Sequence, residues 1–368
     1  MARRTILLLA TMVFGVLLAT GAGLAESGPG GKTQTVTVMT QNVYHGVNGE
    51  LNHAASARTF NELLAAASAV FNGYHERNFP ERADSIAAEI EDTHPDVVGL
   101  QEAVLVRTDT PADGPATPAN EVSLDYVQIL LDRLEARGLH YAPVVQSINW
   151  DIEVPTASGF DLRHTDRIAM LVRTDGGSDF EVEGTSSDHF ETNCKLPTAL
   201  LGPIEVVRGW TSVDLKIRDK TVRLINTHLD GDCADPAIQL AQAREIVKGP
   251  VQEARDKDMP VVLLGDLNSR ADGTGTRTYT ELLKPAVGLA DAWTEAGNGP
   301  GLTCCQNDDL RNTESVLSDR RDYVLVRRGP FKVGGAQLVG ADHEDRTSSG
   351  LWPSDHAGVV VRLRLPSD

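Results

Sequence analysis

The chain has 368 residues, of which 41% are apolar, enough to bury a large core as one big α/β domain or as two smaller ones. Its formal net charge of -18 disfavours unspecific attraction to polyanions, so an anionic substrate has to be met by local sites. No repeat or low-complexity tract marks a solenoid or a linker.

The N-terminus reads as a processing signal. Arg3 and Arg4 give a basic start, Ile6 to Leu18 an apolar run, and Gly23-Leu24-Ala25 small residues suited to cleavage before Glu26. Residues 1–25 are therefore expected to be removed and 26–34 to be a flexible lead-in, which takes the net charge from -18 to -20 by loss of the two arginines. A retained membrane anchor is the competing reading, against which the apolar run is short.

Thr35 to Gln41 alternates β-branched and polar residues and predicts a strand that ends at Asn42. Leu51 to Phe71 has helical spacing, and Pro80 to Glu91 places Ile86 and Ile90 on one face behind a proline suited to a first turn. Val97 to Leu100 is a short buried strand followed by Gln101 and Glu102. Arg107 to Asn120 reads as a long loop, Leu124 to Leu139 as a helix, Tyr141 to Ile148 as a strand, and Asp151 to Thr165 as another loop. Asp166 then precedes a strand over Arg167 to Arg173.

Gly209 to Ile217 and Thr221 to Leu229 predict a hairpin around Asp219-Lys220, with His228 near the end of its second arm. Pro236 to Val247 is a helix by spacing. It leads into the run around which the chain is organised, Val261 to Ser269, whose four leading apolar residues predict a strand buried on both faces. If the backbone stays extended through Leu267, Asp266 and Asn268 leave the same face, and Gly265 lets a ligand approach the backbone. Asp322 opens a strand over Tyr323 to Val326, and Asp355-His356 feed a last strand over Val359 to Leu365. Asp355 and His356 are adjacent, so alternation sends them to separate partners.

Four cysteines allow three pairings. Export permits disulfides, and Cys194 with Cys233 is the expected pair; Cys304-Cys305 reads as buried small residues or a loop bond. The arginine doublets Arg320-Arg321 and Arg327-Arg328 are the basic pairs near the candidate chemistry, with a solvated strand edge as the plain alternative.

Polar residues thus end six separate segments: Asn42, Glu102, His228, Asp266 with Asn268, Asp322, and Asp355 with His356. Their order and the motifs TQNVYHG, VVGLQEA, NTHLD, GDLNS, RRDYVLV and SDHAGVVV resemble the endonuclease/exonuclease/phosphatase superfamily across nearly the whole mature chain. The resemblance implies a deoxyribonuclease-I-like four-layer α/β/β/α sandwich, two mixed β-sheets face to face, in one catalytic domain over residues 35–368. It also implies roles. Asn42, Glu102 and Asp355 fall at the metal end, with Glu102 the principal ligand. Asp266 and Asn268 position the nucleophile and a phosphate oxygen, His228 hydrogen-bonds the phosphate, and His356 is the general base oriented by Asp322. Asp166 lies where secreted nucleases keep an acid that orients the first histidine. Arg320-Arg321 before Asp322 departs from the family's usual Arg-Ile-Asp, and an arginine there is a candidate for substrate phosphate.

Hard carboxylate and amide oxygens suit Mg²⁺, with Mn²⁺ or Ca²⁺ as alternatives, whereas thiolate or clustered histidine ligands would point to zinc. The expected activity is that of a secreted, metal-dependent phosphoesterase cleaving a phosphodiester of nucleic acid or of a phospholipid headgroup. A phosphomonoesterase or a non-catalytic surface-binding member are the alternatives. A monomer without a protein partner is expected. An aromatic content of 5% gives little support to a nucleic-acid groove, and Trp150 and Trp352 are candidates for the exposed apolar loop of a lipid enzyme, with burial the plain alternative.

Overall fold

Branched apolar residues on both faces of the central strands put core on either side of them. The computed structural model describes residues 34–175, 180–231 and 233–365, which belong to one compact unit over Thr33–Ser367. The expected signal segment lies outside the described residues. Among the described residues no helix is long and apolar enough to cross a membrane.

The chain begins with β1 (Gln34–Asn42), α1 (Asn48–Ser56), α2 (Phe60–Glu76), α3 (Phe79–Thr93), β2 (Val97–Gln101), β3 (Leu105–Asp109), β4 (Glu121–Asp125) and α4 (Tyr126–Ala136). A long hairpin of β5 (Tyr141–Pro155) and β6 (Asp161–Arg173) follows, then β7 (Phe180–His189), the short pair β8 (Cys194–Leu196) and β9 (Ile204–Val206), and the hairpin β10 (Gly209–Ile217) and β11 (Lys220–His228). The remainder is α5 (Pro236–Ile246), α6 (Gln252–Asp256), β12 (Val261–Asp266), α7 (Thr278–Leu282), β13 (Leu289–Asp291), α8 (Ala292–Ala296), β14 (Asp322–Arg327), β15 (Lys332–Val339) and β16 (Gly358–Leu365).

Capping explains where the helices start. Thr59 and Glu62 form a reciprocal capping box that splits the expected 51–71 helix into α1 and α2, and Asp125 accepts from the Val127 and Gln128 N–H groups to open α4. The loop expected over 151–165 is instead part of the β5–β6 hairpin. Its polar residues pair across the strands, with Thr165 Oγ1 donating to Asp151 at 2.6 Å and Arg163 Nε to the same carboxylate at 3.0 Å. A strand whose cross-strand partners are polar leaves no apolar alternation to read.

Eight strands form one mixed sheet in the order β15-β16-β1-β2-β6-β3-β4, with β5 on the other edge of β6, and six form the second in the order β13-β14-β12-β11-β10-β7. Three apolar layers make this a four-layer α/β/β/α sandwich. Val36, Val38 and Met170 of the first sheet meet Leu224, Val262 and Leu264 of the second in the middle layer. Met39, Val98 and Leu100 turn outward onto α3 and α4, while Leu263 and Leu325 turn outward onto α5 and α7. The sheets leave no room for a side chain at Gly99, where an added Cβ would lie 2.1 Å from Leu264 Cδ1. Beside it Gln101 Nε2 donates to Asn226 Oδ1 at 2.6 Å, tying the two sheets through a satisfied buried amide pair.

Candidate active site

Register brings the strand-end residues together. His228 lies opposite Asp266 across parallel β11 and β12, and Asp266 opposite Asp322 across antiparallel β12 and β14. In the facing sheet Asn42 lies opposite Gln101 across parallel β1 and β2, so Glu102 follows at the same edge, and His356 stands two residues before β16. Asn42 Nδ2 spans the gap, donating to Glu102 Oε1 at 3.1 Å and to Asp266 Oδ2 at 3.2 Å. Asn42, Glu102, His228, Asp266, Asn268, Asp322, Asp355 and His356 therefore share one end of the sandwich.

His356 Nδ1 sits 2.8 Å from Asp322 Oδ2, which leaves Nε2 facing the cleft 3.8 Å from Asp266 Oδ2. Burial opposes charge on this ring, but Asp322, Asp355 and Asp266 outweigh it and hold the imidazolium well above the usual histidine range. Burial and the neighbouring Asp322 push the Asp266 carboxyl up to about 6.

His228 has the opposite character. Arg208 Nη1 is 2.9 Å from His228 Nδ1, and because a guanidinium only donates, Nδ1 accepts and the ring proton belongs on Nε2. Burial and then Arg208 hold the ring neutral, well below the usual range. Its Nε2 faces the cleft, 3.0 Å from Asn268 Nδ2 and 3.5 Å from Asp266 Oδ2. Asp166 does not meet His228 directly: its Oδ2 is 3.5 Å from Arg208 Nη1, so any orienting effect passes through that arginine. Nor does Asp166 precede a strand, since β6 already runs from Asp161. Burial raises its carboxyl to about 6 despite Arg208.

At the other side Glu102 takes a left-handed backbone (φ 55°), uncommon for a glutamate, and Oε2 accepts from the His45 N–H at 2.9 Å. Burial alone would raise this carboxyl, but His45 and the hydrogen bonds from the His45 N–H and Asn42 hold it well below its usual range. Burial pushes neighbouring Asp355 up to about 7, with His356 opposing and Glu102 adding to the rise. An ionised glutamate beside a buried, underneutralised aspartate is an all-oxygen pair that fits a divalent cation. Asn42 Oδ1 accepts from the Tyr44 N–H at 2.9 Å, and its amino group clamps Glu102 to Asp266, so the ligand role expected of Asn42 would fall to the second lone pair of that oxygen.

Other expectations change with the geometry. The chain does not stay extended through Leu267; Asn268 is left-handed (φ 49°) and its N–H caps Asp266 Oδ1 at 2.8 Å, which turns its amide toward His228. Gly265 makes room for β11 rather than a ligand, since a Cβ there would lie 2.0 Å from the Thr227 carbonyl oxygen. Arg320 is buried against Asp291 and the Tyr279 and Tyr323 rings, whereas Arg321 lines the cleft and pairs with Asp319 at 2.9 Å. Trp352 is fully buried, while Trp150 lines the cleft beside His164. Cys194 is bonded to Cys233 as expected, and Cys304 to Cys305.

Two site residues escaped the sequence reading, His45 and Arg208. The hairpin register contained the signal for the second: Trp210 pairs with Thr227, so Arg208 must stand just beyond His228's neighbour on the adjacent strand.

The cluster opens into a cleft of about 470 Å³ lined by His45, Glu102, Arg208, His228, Asp266, Asn268 and His356 among others. An acid-supported imidazole, a neutral imidazole donor and an ionised glutamate around one concavity suit transfer of a phosphoryl group to water.

Solved structures share this architecture. An endonuclease/exonuclease/phosphatase family protein from Bacteroides thetaiotaomicron is similar at 17% identity and a TM-score of 0.55, over 91% of this chain and 96% of that one. D. rerio TDP2 complexed with single strand DNA product is similar at 17% identity and a TM-score of 0.54, over 89% and 98%. A mannosyl-6-phosphatase from Bacteroides thetaiotaomicron VPI-5482 is similar at 18% identity and a TM-score of 0.52, over 89% and 99%. These likenesses concern the fold. A search of curated proteins by sequence finds no match. The sequence profile of one family runs from the second half of β1 to the site histidine before β16, residues 39–356, and by that match this chain belongs to the Endonuclease/Exonuclease/phosphatase family.

Proposed function

We propose that this protein is a divalent-metal-dependent phosphoesterase that cleaves phosphodiesters by attack of water. The observation that carries the reading is the pair of unlike imidazoles on either side of Asp266: His356 backed by Asp322, and His228 fixed as an Nε2–H donor by Arg208. From its neutral form, His356 Nε2 takes the proton of a water held against Asp266 as the water oxygen bonds to phosphorus and the ester oxygen of the leaving alcohol departs. The imidazolium so formed faces the Asp322 carboxylate. His228 donates from Nε2 to a phosphoryl oxygen, where charge accumulates, beside the Asn268 amide. Glu102 and Asp355 would hold the cation, Mg²⁺ first with Mn²⁺ or Ca²⁺ as alternatives, which neutralises phosphoryl charge.

The same residues serve a phosphomonoester, and the likeness to a mannosyl-6-phosphatase gives that reading weight. Purified protein with Mg²⁺, Mn²⁺ or Ca²⁺ is assayed against bis-p-nitrophenyl phosphate and p-nitrophenyl phosphate; faster cleavage of the diester is expected. Faster cleavage of the monoester selects the alternative, and cleavage of neither overturns the enzyme. The bonded Cys194 and Cys233 support export to an oxidising compartment, in keeping with the leader read at residues 1–25.

A further inference from the structure

The catalytic cluster makes up part of the cleft lining, and the rest of that lining has a different chemistry. Leu51 and Leu63 from α1 and α2, Val70 deeper in α2, Ile152 and Leu162 from the β5–β6 hairpin, and Ile204 from β9 line it together. Leu63, Val70 and Leu162 are only 2–3% exposed, so the floor is the surface of the hydrophobic core, and Leu51 and Ile204 stand half-buried above it as walls. The β8–β9 hairpin closes over this arm: Ala199 N–H reaches the Ala55 carbonyl at 3.4 Å, and Cys194 fixes the hairpin base to Cys233.

Resting on the hydrolytic reading above, we propose that this arm holds the apolar part of the substrate, a phosphate ester carrying a single alkyl, acyl or isoprenoid chain. Three observations select that occupant. The arm is continuous with the residues that would take the phosphate, so one molecule reaches both. This arm is built on six aliphatic side chains, with Asn48, Asn52 and Thr198 as its polar neighbours, few donors for a sugar or a second phosphate. Among the described residues that line the cleft the permanent cations are Arg208 and Arg321, too few to track a polynucleotide backbone. At about 470 Å³ the cleft falls within the range of small-molecule sites, about 300–1,000 Å³, which suits one chain with its phosphate.

The test is a series of p-nitrophenyl alkyl phosphodiesters, methyl to octyl, kept monomeric, with the full chain and Mg²⁺. Each buried methylene multiplies binding about threefold to fourfold, so kcat/KM should rise at least about 30-fold from methyl to octyl. Ile204→Glu and, independently, Leu51→Glu should bring the octyl-to-methyl ratio toward one, with circular dichroism reporting that each variant folds. A flat series in the wild-type protein overturns the apolar arm and leaves hydrolysis standing. Calorimetric binding of dodecyl phosphate against inorganic phosphate separates the two readings in the other direction. Dodecyl phosphate should bind at least about tenfold tighter, with the gain lost in Ile204→Glu. That result without cleavage of any ester keeps the arm and removes the hydrolytic reading; equal binding of the two overturns the arm.

Discussion

Asp322 Oδ2 and His356 Nδ1 stand 2.8 Å apart although they come from different sheets, Asp322 from the first residue of β14 and His356 from the approach to β16. The dyad therefore exists only when the two sheets pack in one relative register, and Asn42, reaching from β1 to Asp266 of β12, makes the same crossing. Fold and chemistry are coupled at this seam.

A paired imidazole and carboxylate act as one unit. His356→Ala should lower turnover of bis-p-nitrophenyl phosphate by roughly two orders of magnitude or more with the fold retained. Asp322→Asn should cost less. The double variant should be no slower than His356→Ala, because an orienting acid has nothing left to orient. Losses that multiply in the double variant would show that Asp322 acts on something other than the imidazole.

Glu102 and Asp355 line the same cleft, near enough that Glu102 raises the Asp355 pKa, and a cation held by both would stabilise the folded state by mass action. Titrating Mg²⁺ or Mn²⁺ into chelator-treated protein should raise Tm with a saturating dependence, and Glu102→Gln should abolish most of that rise. Full activity in excess chelator would remove the ion from the reaction. The Tm readout does not depend on knowing the substrate.

Much of this site was legible because strand ends advertise themselves. Val261–Leu264 stops at Gly265-Asp266, and Val97–Leu100 stops at Gln101-Glu102, so the change from apolar to polar marks both the edge of the sandwich and the chemistry. What the sequence hid was relational. Arg208 matters because it lies between Asp166 and His228, three residues from separate strands or their approaches, and Asn42 is a clamp because of where Tyr44 turns its N–H. The β5–β6 hairpin was hidden for another reason, its arms being held by Arg163, Thr165 and Asp151 rather than by an apolar face.

Glu89 of α3 offers a pH test away from the site. It is 8% exposed, both carboxylate oxygens lack a hydrogen-bond partner among the described residues, and burial followed by repulsion from Asp345 and Asp92 raises its pKa well above the usual value. The folded state thus holds this proton more tightly than the unfolded chain. Its contribution to stability is complete below the unfolded carboxylate range and drains away as pH rises toward the folded pKa. Glu89→Gln should therefore match the wild type near pH 4 and exceed it by on the order of 1–2 kcal/mol at pH 8. Denaturant midpoints across that range check the sign, and a gain confined to acid pH would contradict it.

Gly99 tests the seam itself. It has no positive φ to demand glycine; what it lacks is room, because a Cβ would lie 2.1 Å from Leu264 Cδ1 and 2.9 Å from Asn226 Oδ1. Gly99→Ala must push β2 away from β12 or drive Leu264 off its rotamer, at a cost of about 1–3 kcal/mol. Leu264→Val removes the clashing methyl, so the second substitution should cost markedly less in the presence of the first than alone, a coupling that denaturant midpoints of the four proteins measure directly. Glu102 follows Gly99 by three residues and Asp266 follows Leu264 by two, so spreading the sheets also lengthens the Asn42 bridge between them. Gly99→Ala should accordingly slow phosphodiester cleavage without touching a site residue, and Leu264→Val should restore part of that rate. Loss of stability with no loss of rate would mean that the site tolerates movement of the sheets, and the coupling argued from Asp322 and His356 would fail.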